Sequence, residues 1–534
     1  LAAAIILGTT MALPEILPAA QLAAYGPRGG SGLGYSFAAT YGWADRYGLA
    51  LLLLPGSFGG EAWTTVTNPW EATGYVGILP IALVFAAPVR RNRVAFFAFG
   101  AILGVWLSFG RYAWLDLHRV AYAVIPGFSS FRVPTRALMV TSLCVAVLAA
   151  EGMNSLSTRG LSVGAAWRLG GILLAVIVAA HVLPRLPSFS LDRASGTTFA
   201  WRATAVAALG LLWIRMVHRE GMRPRWAVAL CCFCWVDQYG AFGSSNTVMR
   251  AEALTPAFDA VLPALPTAQG SRVAVVTERA IEYNEAQRVR RESPTGYGPS
   301  IIERVRRIIE WTRSGTLAHQ SGVNVILPEG DPQSARWRLL ATSSVITRAP
   351  LVPEHVAVDT KNGPVILQGA PALPRVYWAG SYVQHGDAGI ETFLEDAARG
   401  DQVVIAEPAP FRAGERSGPV PAEEVAVGPR TLSAVVDAPR EGVVVVLDPW
   451  FPGWSASVDG EAVAILRANY AFQAVAVSRG RHRIVLSYEN RPFVLGCALA
   501  AVGAAALLAL ALIARAGRAV PGLGDPNHDQ RTMP

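Results

Sequence analysis

Residues 448–496 read DPWFPGWSASVDGEAVAILRANYAFQAVAVSRGRHRIVLSYENRPFVLG, and this stretch decides how the chain is organised. Short apolar runs alternate here with the tight-turn pairs Asp459-Gly460 and Arg479-Gly480. This pattern predicts a small β-sandwich or jelly-roll over residues 430–490. An uncharged apolar run follows at once, long enough to cross the hydrocarbon core of a bilayer. We therefore expect a β module joined directly to a final transmembrane helix, residues 491–516.

Apolar runs of similar length occur seven more times in the chain, near residues 1–22, 72–89, 94–112, 135–154, 165–184, 199–217 and 225–242. Arginines gather in alternate loops between them, at 90–93, 159–168 and 215–225. The positive-inside rule makes those loops cytoplasmic. Eight spans with this orientation place residues 243–490 outside the cytoplasm.

The predicted fold is a multi-span α-helical membrane domain plus an extracytoplasmic α/β domain that ends in the β-sandwich module. The membrane domain covers residues 1–242, with about seven spans and outer loops 23–71 and 113–134. The α/β domain covers residues 243–429, and a disordered cytoplasmic tail covers residues 517–534. The predicted elements of the α/β domain are short strands at 272–277, 323–327 and 402–406, a helix at 301–311 and a hairpin turn at 361–364. Because the chain opens on Leu1 inside an apolar run, we interpret it as a fragment of a longer protein.

The charge distribution argues against a nucleic-acid partner. Charged residues make up 16% of the chain, against roughly 25% in soluble proteins. Residues 243–490 hold 27 of the 38 acids but 24 of the 46 bases, so the basic balance belongs to the membrane half. The five cysteines all fall in apolar spans, and the histidines show no metal-ligand spacing. We therefore expect neither a disulfide framework nor a structural metal site.

Several motifs resemble the bacterial YfhO family of membrane proteins. The longest runs from Trp450 to Tyr488, with Trp450-Phe451 where the family more often has a tyrosine pair. The stretch PGFSSFRVPTR at 126–136 is similar to the family's outer-loop signature, and Leu13-Pro14-Glu15 and LPGSFG at 54–59 match its pattern.

That resemblance implies a GT-C-like glycosyltransferase in the bacterial cell (inner) membrane. Such enzymes transfer a sugar from a polyprenyl-phosphate donor to a cell-envelope glycan or polymer acceptor on the outer face. An acidic motif in the first outer loop usually supplies the base or binds a divalent cation. This fragment is expected to start after that loop. Two other hypotheses remain open: a non-catalytic scaffold or glycan-binding subunit, and a transporter of a lipid-linked glycan.

Four arginines of one predicted outer loop form the best candidate site, for phosphate binding: Arg132, Arg136, Arg111 and Arg119. Pro134 suits the first turn of a helix, so a helix amino terminus would lie between Arg132 and Arg136. Backbone N–H groups and guanidinium groups together favour an anion. The alternative is that these arginines reach ordinary lipid headgroups or pair with Asp116.

Two weaker candidates lie elsewhere in the chain. Glu15 sits in an apolar span, where a carboxylate is costly. It would either orient an acceptor hydroxyl or pair with an arginine of the 111–136 loop. Trp454 is the aromatic residue of the β module most expected to be exposed and to stack on a sugar. For its aromatic neighbours, and as the favoured alternative for Trp454, we predict a place in the core. The acids Asp237, Glu61 and Glu71 are expected to be solvated.

Overall fold

The computed structural model describes residues 2–27, 29, 34–40, 42–43, 48–49, 52, 74–88, 91–185, 193–242, 257–266, 272–276, 284–294, 296–297, 301–317, 325–326, 331–360, 362–410 and 414–518. The chain divides into two compact units. The first, which we call the anchored domain, combines Leu1–Gly29 with Leu254–Pro534. The second, the helical unit, is Gly30–Ala253.

The described part of the helical unit is built mainly from α-helices. Its helices are Tyr35–Ala38, Ile78–Val84, Asn92–Ser108, Leu117–Val124, Leu138–Arg159, Val163–Val182, Arg193–Glu220 and Pro224–Phe242. Single 3₁₀ turns occur at Gly110–Tyr112, Phe128–Ser130, Pro134–Ala137 and Leu183–Arg185. The longer helices pack through a shared apolar core that contains Ile78, Leu173, Ala203 and Ala207.

The predicted membrane spans are confirmed in part. Among the described residues of the whole chain, four helices are long and apolar enough to cross a membrane: Pro134–Arg159, Val163–Val182, Ala200–Glu220 and Arg491–Ile513. Asn92–Ser108 is apolar but shorter.

The span predicted at 72–89 is wrong as a full-length helix. Only Ile78–Val84 is helical there, seven residues or about 10 Å of rise. Gly77 has φ +100°, outside the helical region, so the helix begins after it. Pro88 follows the helix end and disfavours helical geometry in the residue before it.

The anchored domain contains a pair of long helices, Ala2–Tyr25 and Arg491–Arg518, which pack along one another. Their backbones approach closely at Gly496, where an added Cβ would lie 2.6 Å from the Leu13 carbonyl oxygen. Gly503 packs against the Thr10 side chain, where an added Cβ would lie 3.0 Å from the Thr10 methyl carbon. Small residues at such contacts let apolar helices associate through dispersion forces.

A four-stranded sheet forms the first part of the domain between these helices. Its order is Arg272–Val275, Thr342–Thr347, Gly363–Gly369 and His355–Thr360, with the first pair parallel and the others antiparallel. The hairpin predicted at 361–364 is confirmed by the last two strands, although residue 361 itself lies outside the described residues. The other predicted elements occur as Val325–Ile326, Val403–Ile405 and the helix Glu303–Ser314. A second helix, Glu391–Arg399, packs into the same apolar core as the helix Glu303–Ser314.

Two sheets make up the carboxy-terminal sandwich. The seven-stranded sheet has the order Val420–Pro421, Val376–Ala379, Gly442–Pro449, Phe472–Val477, Leu466–Ala468, Val403–Ile405 and Tyr382–Gln384. The five-stranded sheet has the order Glu423–Val427, Thr431–Ala438, Gly480–Tyr488, Trp454–Val458 and Glu461–Val463. The β character predicted for this region is therefore confirmed.

The seven-stranded sheet does not end at the predicted boundary of residue 430, because four of its strands come from residues 376–421. The short apolar run at 463–467, which reads as one strand in the sequence, is not a single strand. It is two strands, Glu461–Val463 and Leu466–Ala468, which belong to different sheets. Residues 464–465 carry the chain from one sheet to the other.

The central strand Gly442–Pro449 explains why the sandwich needs more than the module itself. Val444 and Val446 pack between the two sheets. Val443 and Val445 face the opposite side of the sheet. They pack against a separate core that includes residues of the helices Glu303–Ser314 and Glu391–Arg399. A strand covered on both faces has an uninterrupted apolar run rather than an alternating one. Each fully buried valine contributes about 1.5–3 kcal/mol relative to an exposed one.

Candidate functional site

The predicted phosphate-binding arginines lie on one connected segment, residues 110–137, which we call the arginine loop. It contains the turns Gly110–Tyr112 and Pro134–Ala137 and the short helix Leu117–Val124 between them. The turn Pro134–Ala137 continues directly into Leu138–Arg159. The prediction that Pro134 stands in the first turn of a helix is therefore confirmed.

Two of the arginines lie over aromatic rings from one short helix, Tyr35–Ala38. The Arg119 guanidinium carbon is 5.5 Å from the centre of the Tyr35 ring, and that of Arg132 is 5.5 Å from the Phe37 ring. Cation–π attraction of this kind contributes about 0.5–1 kcal/mol at exposed sites. The helix therefore contacts both Arg119 and Arg132 through its aromatic side chains. Tyr35 and Phe37 carried no signal in the sequence beyond their place in the predicted loop 23–71.

The other two arginines are brought together by a backbone contact. Gly110 has φ +55°, and a Cβ there would lie 2.6 Å from Cγ of Pro134. The turn that carries Arg111 therefore packs directly on the turn that carries Arg136. Arg111 is exposed, lies 4.9 Å above the Tyr112 ring and donates to its hydroxyl at 2.8 Å. Arg136 is also exposed.

Asp116 organises the loop. Its carboxylate caps the helix Leu117–Val124 by accepting a hydrogen bond from the Arg119 backbone N–H at 2.9 Å. It also accepts a hydrogen bond from the Tyr35 hydroxyl. His118 is buried beside it, with its ring 5.2 Å from that of Phe128. Asp116 thus fixes the helix and the aromatic platform beneath Arg119.

Val133 has a backbone conformation that β-branched residues rarely adopt. Its φ is +67°, in the left-handed region, and its side chain is buried. Such a conformation costs about 1–3 kcal/mol and persists only where the surroundings enforce it. Residues held in this way gather at functional sites. The strain lies between Arg132 and Pro134, at the centre of the predicted site.

An apolar groove of about 720 Å³ opens beside the arginine loop within the same unit. Helix Asn92–Ser108 contributes Ile102, Val105 and Trp106, and helix Leu138–Arg159 contributes Val145. The loop contributes Tyr112, Ala113 and Trp114, which directly follow Arg111 in the chain. The groove and the first arginine of the loop are therefore adjacent. This arrangement suits an amphiphile with an apolar chain and an anionic head.

Asp237 was expected to be solvated, and that expectation is wrong. Its side chain is fully buried and accepts hydrogen bonds from the Tyr75 hydroxyl at 2.6 Å and the Ile78 backbone N–H at 2.8 Å. Arg202 lies 3.9 Å from the same carboxylate. A buried carboxylate needs such partners. Asp237 thus fixes the start of the helix Ile78–Val84. Glu61 and Glu71 lie outside the described residues.

Glu15 is exposed on the helix Ala2–Tyr25. It belongs to the anchored domain and the arginine loop to the helical unit. Its pairing with a loop arginine therefore stays a prediction. Among the described residues, no group of three His, Cys, Asp or Glu side chains is able to hold a metal ion.

The aromatic residues of the β module divide into two groups. Tyr470 and Phe472 are buried in the core of the anchored domain. Trp450, Phe451 and Trp454 are half-buried. Trp454 packs on the sandwich core, with its ring 5.4 Å from that of Tyr488. The sugar-stacking role of Trp454 stays a prediction.

The module's longest motif holds its own backbone in place. Asn469 and Tyr470 both have positive φ, +46° and +73°. The fully buried Asn469 side chain accepts a hydrogen bond from the Val404 N–H at 2.9 Å, and the Asn469 N–H donates to the Val404 carbonyl at 2.7 Å. An asparagine tolerates this conformation better than most residues.

Asp448, which begins the stretch 448–496 that contains this motif, links its own strand to Arg272 of the four-stranded sheet and to Arg375, the residue before the strand Val376–Ala379. It accepts two hydrogen bonds from Arg375, at 2.9 and 2.8 Å, and one from Arg272. Arg375 also pairs with Glu292 at 2.7 Å. All of these groups except Glu292 are largely buried. The network links the four-stranded sheet to the sandwich.

Comparison with known families places the module. The family model described as Bacterial membrane protein YfhO matches residues 423–500. The match spans the whole five-stranded sheet and the start of the helix Arg491–Arg518. It confirms the resemblance stated from the sequence and, with the apolar helices, identifies a membrane protein. No curated protein and no solved structure matches the chain.

Proposed function

We propose, from the premise that residues 423–500 match the YfhO family, that this protein acts as a membrane glycosyltransferase. It transfers a sugar from a polyprenyl-phosphate donor to an acceptor glycan or polymer of the cell envelope. In this proposal the protein lies in the bacterial inner membrane. The arginine loop and the anchored domain's sheets both face away from the cytoplasm.

The observation that carries this proposal is the apolar groove next to Arg111. The donor has two chemically different parts, a long apolar isoprenoid chain and an anionic phosphate. The groove suits the chain, since its lining is almost wholly apolar. The four arginines suit the phosphate, because guanidinium groups form strong, charge-assisted hydrogen bonds with phosphate oxygens.

The reaction forms a bond between the acceptor oxygen and the anomeric carbon and breaks the bond from that carbon to the phosphate oxygen. The phosphate leaves with the bonding electron pair, and its growing charge is stabilised by the arginines. The acceptor hydroxyl loses its proton to a carboxylate acting as general base. Glu15 is one candidate, and the acidic motif implied by the family is the other. No step is assigned to a metal ion, although a divalent cation is compatible with the reaction.

Replacing Arg132 tests the phosphate role. Arg132→Ala is expected to abolish glycan transfer in cells while expression stays normal, and Arg132→Lys to retain part of it because the charge remains. The matched control is Arg159→Ala, an exposed arginine at the other end of the helix that follows the loop. It should transfer normally. Full transfer by Arg132→Ala would remove the site assignment.

A second candidate function is a non-catalytic scaffold or glycan-binding subunit. It is favoured by Asp116, the acid of the arginine loop. Its carboxylate already accepts two hydrogen bonds with a structural role, so it is not free to act as a general base. Purified protein in lipid nanodiscs, supplied with a polyprenyl-phosphate sugar and envelope polymer, separates the two. Product formation that depends on Arg132 supports the enzyme. Binding of polymer without turnover supports the scaffold.

A further inference from the structure

A small cavity of about 190 Å³ lies in the anchored domain, where the helix pair meets the β-sandwich. Helix Ala2–Tyr25 lines it with Pro18, Gln21 and Leu22. The sandwich contributes Phe451 and Tyr488, and Asn490 stands just before the helix Arg491–Arg518. The elements that form the cavity are held together by the close contact of the two helices at Gly496.

Aromatic rings cover one side of this cavity. The Phe451 ring lies 5.3 Å from the Tyr25 ring in an edge-on arrangement and 6.5 Å from that of Tyr488. Rings held in this way present an apolar face of fixed direction. The C–H groups on one face of a sugar ring pack well on such a surface.

Polar groups lie on the remaining sides. Asn490 has its Oδ1 fixed by the Phe493 N–H at 3.1 Å, which orients its NH₂ group as a donor. Gln21 brings a second amide into an otherwise apolar helix, and polar residues in such helices mark functional surfaces. The Tyr488 hydroxyl is protonated at neutral pH, as a tyrosine ordinarily is, and burial raises its pKa further. Amide and hydroxyl groups recognise sugar hydroxyls in both directions, as donors and acceptors.

Charge and size select the ligand class. Among the residues that the structure describes, those lining the cavity carry no ionised side chain. The neighbouring charges Glu489 and Arg491 are exposed and pair with each other at 3.4 Å. A phosphate group would need a cation, whereas a neutral sugar does not. At about 30 Å³ per water, the volume holds roughly six waters, the scale of a single sugar ring.

We propose that this cavity binds one neutral pyranose ring of the acceptor glycan. The assignment of the ring to the acceptor rests on the function proposed above, whereas the binding of a sugar does not. Glu15 supports the assignment, because positions 15, 18 and 22 fall on one face of a helix and both Pro18 and Leu22 line the cavity. The carboxylate proposed as a base thus lies one helical turn from the bound ring.

Saturation-transfer NMR on the full chain in phosphatidylcholine nanodiscs tests the proposal. The probes are the methyl glycosides of glucose, galactose and N-acetylglucosamine. At least one is expected to bind, and Phe451→Ala to weaken its binding about tenfold, the scale of one aromatic contact. Phe451→Leu, which keeps the apolar volume, should also lose most of the signal. Trp167→Ala, which removes an exposed aromatic residue of the helical unit, should bind normally.

Three results would overturn the sugar site. They are the absence of binding by all three glycosides, undiminished binding by Phe451→Leu, and loss of the signal when phosphatidylglycerol is added to the nanodiscs. The last would assign the cavity to a lipid headgroup. Any of these, with Arg132-dependent glycan transfer still present, removes the sugar site and leaves the proposed function standing. Sugar binding by a chain that shows no glycan transfer does the reverse: it keeps the sugar site and removes the proposed function.

Discussion

The carboxy-terminal motif and the arginine loop use polar residues in opposite ways. In the motif, Asp448 and Asn469 are buried, and their hydrogen-bonding groups are taken up by neighbouring strands. In the loop, Arg111, Arg119 and Arg136 are exposed. The residues that match the family model therefore report how the sandwich is assembled. The arginines suited to a phosphate lie in a different part of the chain.

This contrast predicts opposite results from mutagenesis in the two regions. A buried charge removed from water must be matched by partners, so losing one partner is costly. An exposed arginine loses little when it is replaced, because water already solvates its neighbours. Variants of the buried Asp448 and Asn469 should therefore destabilise the domain, whereas loop variants should change activity and leave stability nearly intact.

The largest effect is expected for Asp448→Ala. It leaves Arg375 and Arg272 buried without their shared carboxylate, with only 7% and 11% of their side chains exposed. The loss in free energy of unfolding should be on the order of 3–5 kcal/mol. Denaturant unfolding of the detergent-solubilised chain measures it. Glu461→Ala, an exposed acid on a nearby strand, is the control and should stay within about 0.5 kcal/mol. Equal losses would contradict the structural role of the motif.

Asn469 offers a finer test through two substitutions. Asn469→Ala should cost about 2–4 kcal/mol, since it leaves the Val404 N–H buried without its acceptor and puts alanine, which tolerates the left-handed region less well than asparagine, at this position. Asn469→Gly loses the same hydrogen bond but tolerates the backbone. It should be more stable than Asn469→Ala by roughly 1 kcal/mol. The reverse order would show that the backbone conformation is not what selects asparagine.

Acid should weaken the motif's ion-pair network. Burial alone would raise the pKa of Asp448, but the charges of Arg272 and Arg375 outweigh it and hold the pKa below its usual value. The resulting stability is present above the unfolded pKa of about 4 and is lost as pH falls through the lower folded value. Thermal unfolding at pH 7 and pH 3 should show a larger loss for the wild type than for Asp448→Asn. A pH-independent difference between the two would rule out this linkage.

The smallest change in stability is expected in the arginine loop. Arg119→Gln should cost less than about 1 kcal/mol, the range of an exposed cation–π contact, yet reduce glycan transfer. Tyr35→Leu should reduce transfer as well, because it removes the ring beneath Arg119. Tyr35→Phe keeps that ring and should transfer nearly normally. If Tyr35→Phe fails like Tyr35→Leu, the hydrogen bond to Asp116 matters more than the ring.

Local patterns made the β module predictable. Turn pairs such as Asp459-Gly460 have the positive φ values that their chemistry favours, +53° and +90°. Alternating apolar residues located most strands to within a few residues. The pairing of Val376–Ala379 with the central strand was not predictable, because it depends on contacts distant in sequence.

The sequence predicted only part of the candidate site. Arg132 and Arg136 stood out because arginines are unusual in an outer loop. Their partners did not, since nothing in the pattern joins Phe37 to Arg132 across nearly a hundred residues. The burial of Asp237 also depends on a distant residue, Tyr75.

The glycine contact at position 496 has a mechanical consequence. Helix Arg491–Arg518 contacts the backbone of helix Ala2–Tyr25 at this position, and the sheets of the anchored domain directly precede helix Arg491–Arg518 in the chain. Because the two helices are packed together, we expect the sheets of the anchored domain not to rotate about either helix alone. The cavity between the helix Ala2–Tyr25 and the sandwich is thus kept at a constant depth relative to the membrane.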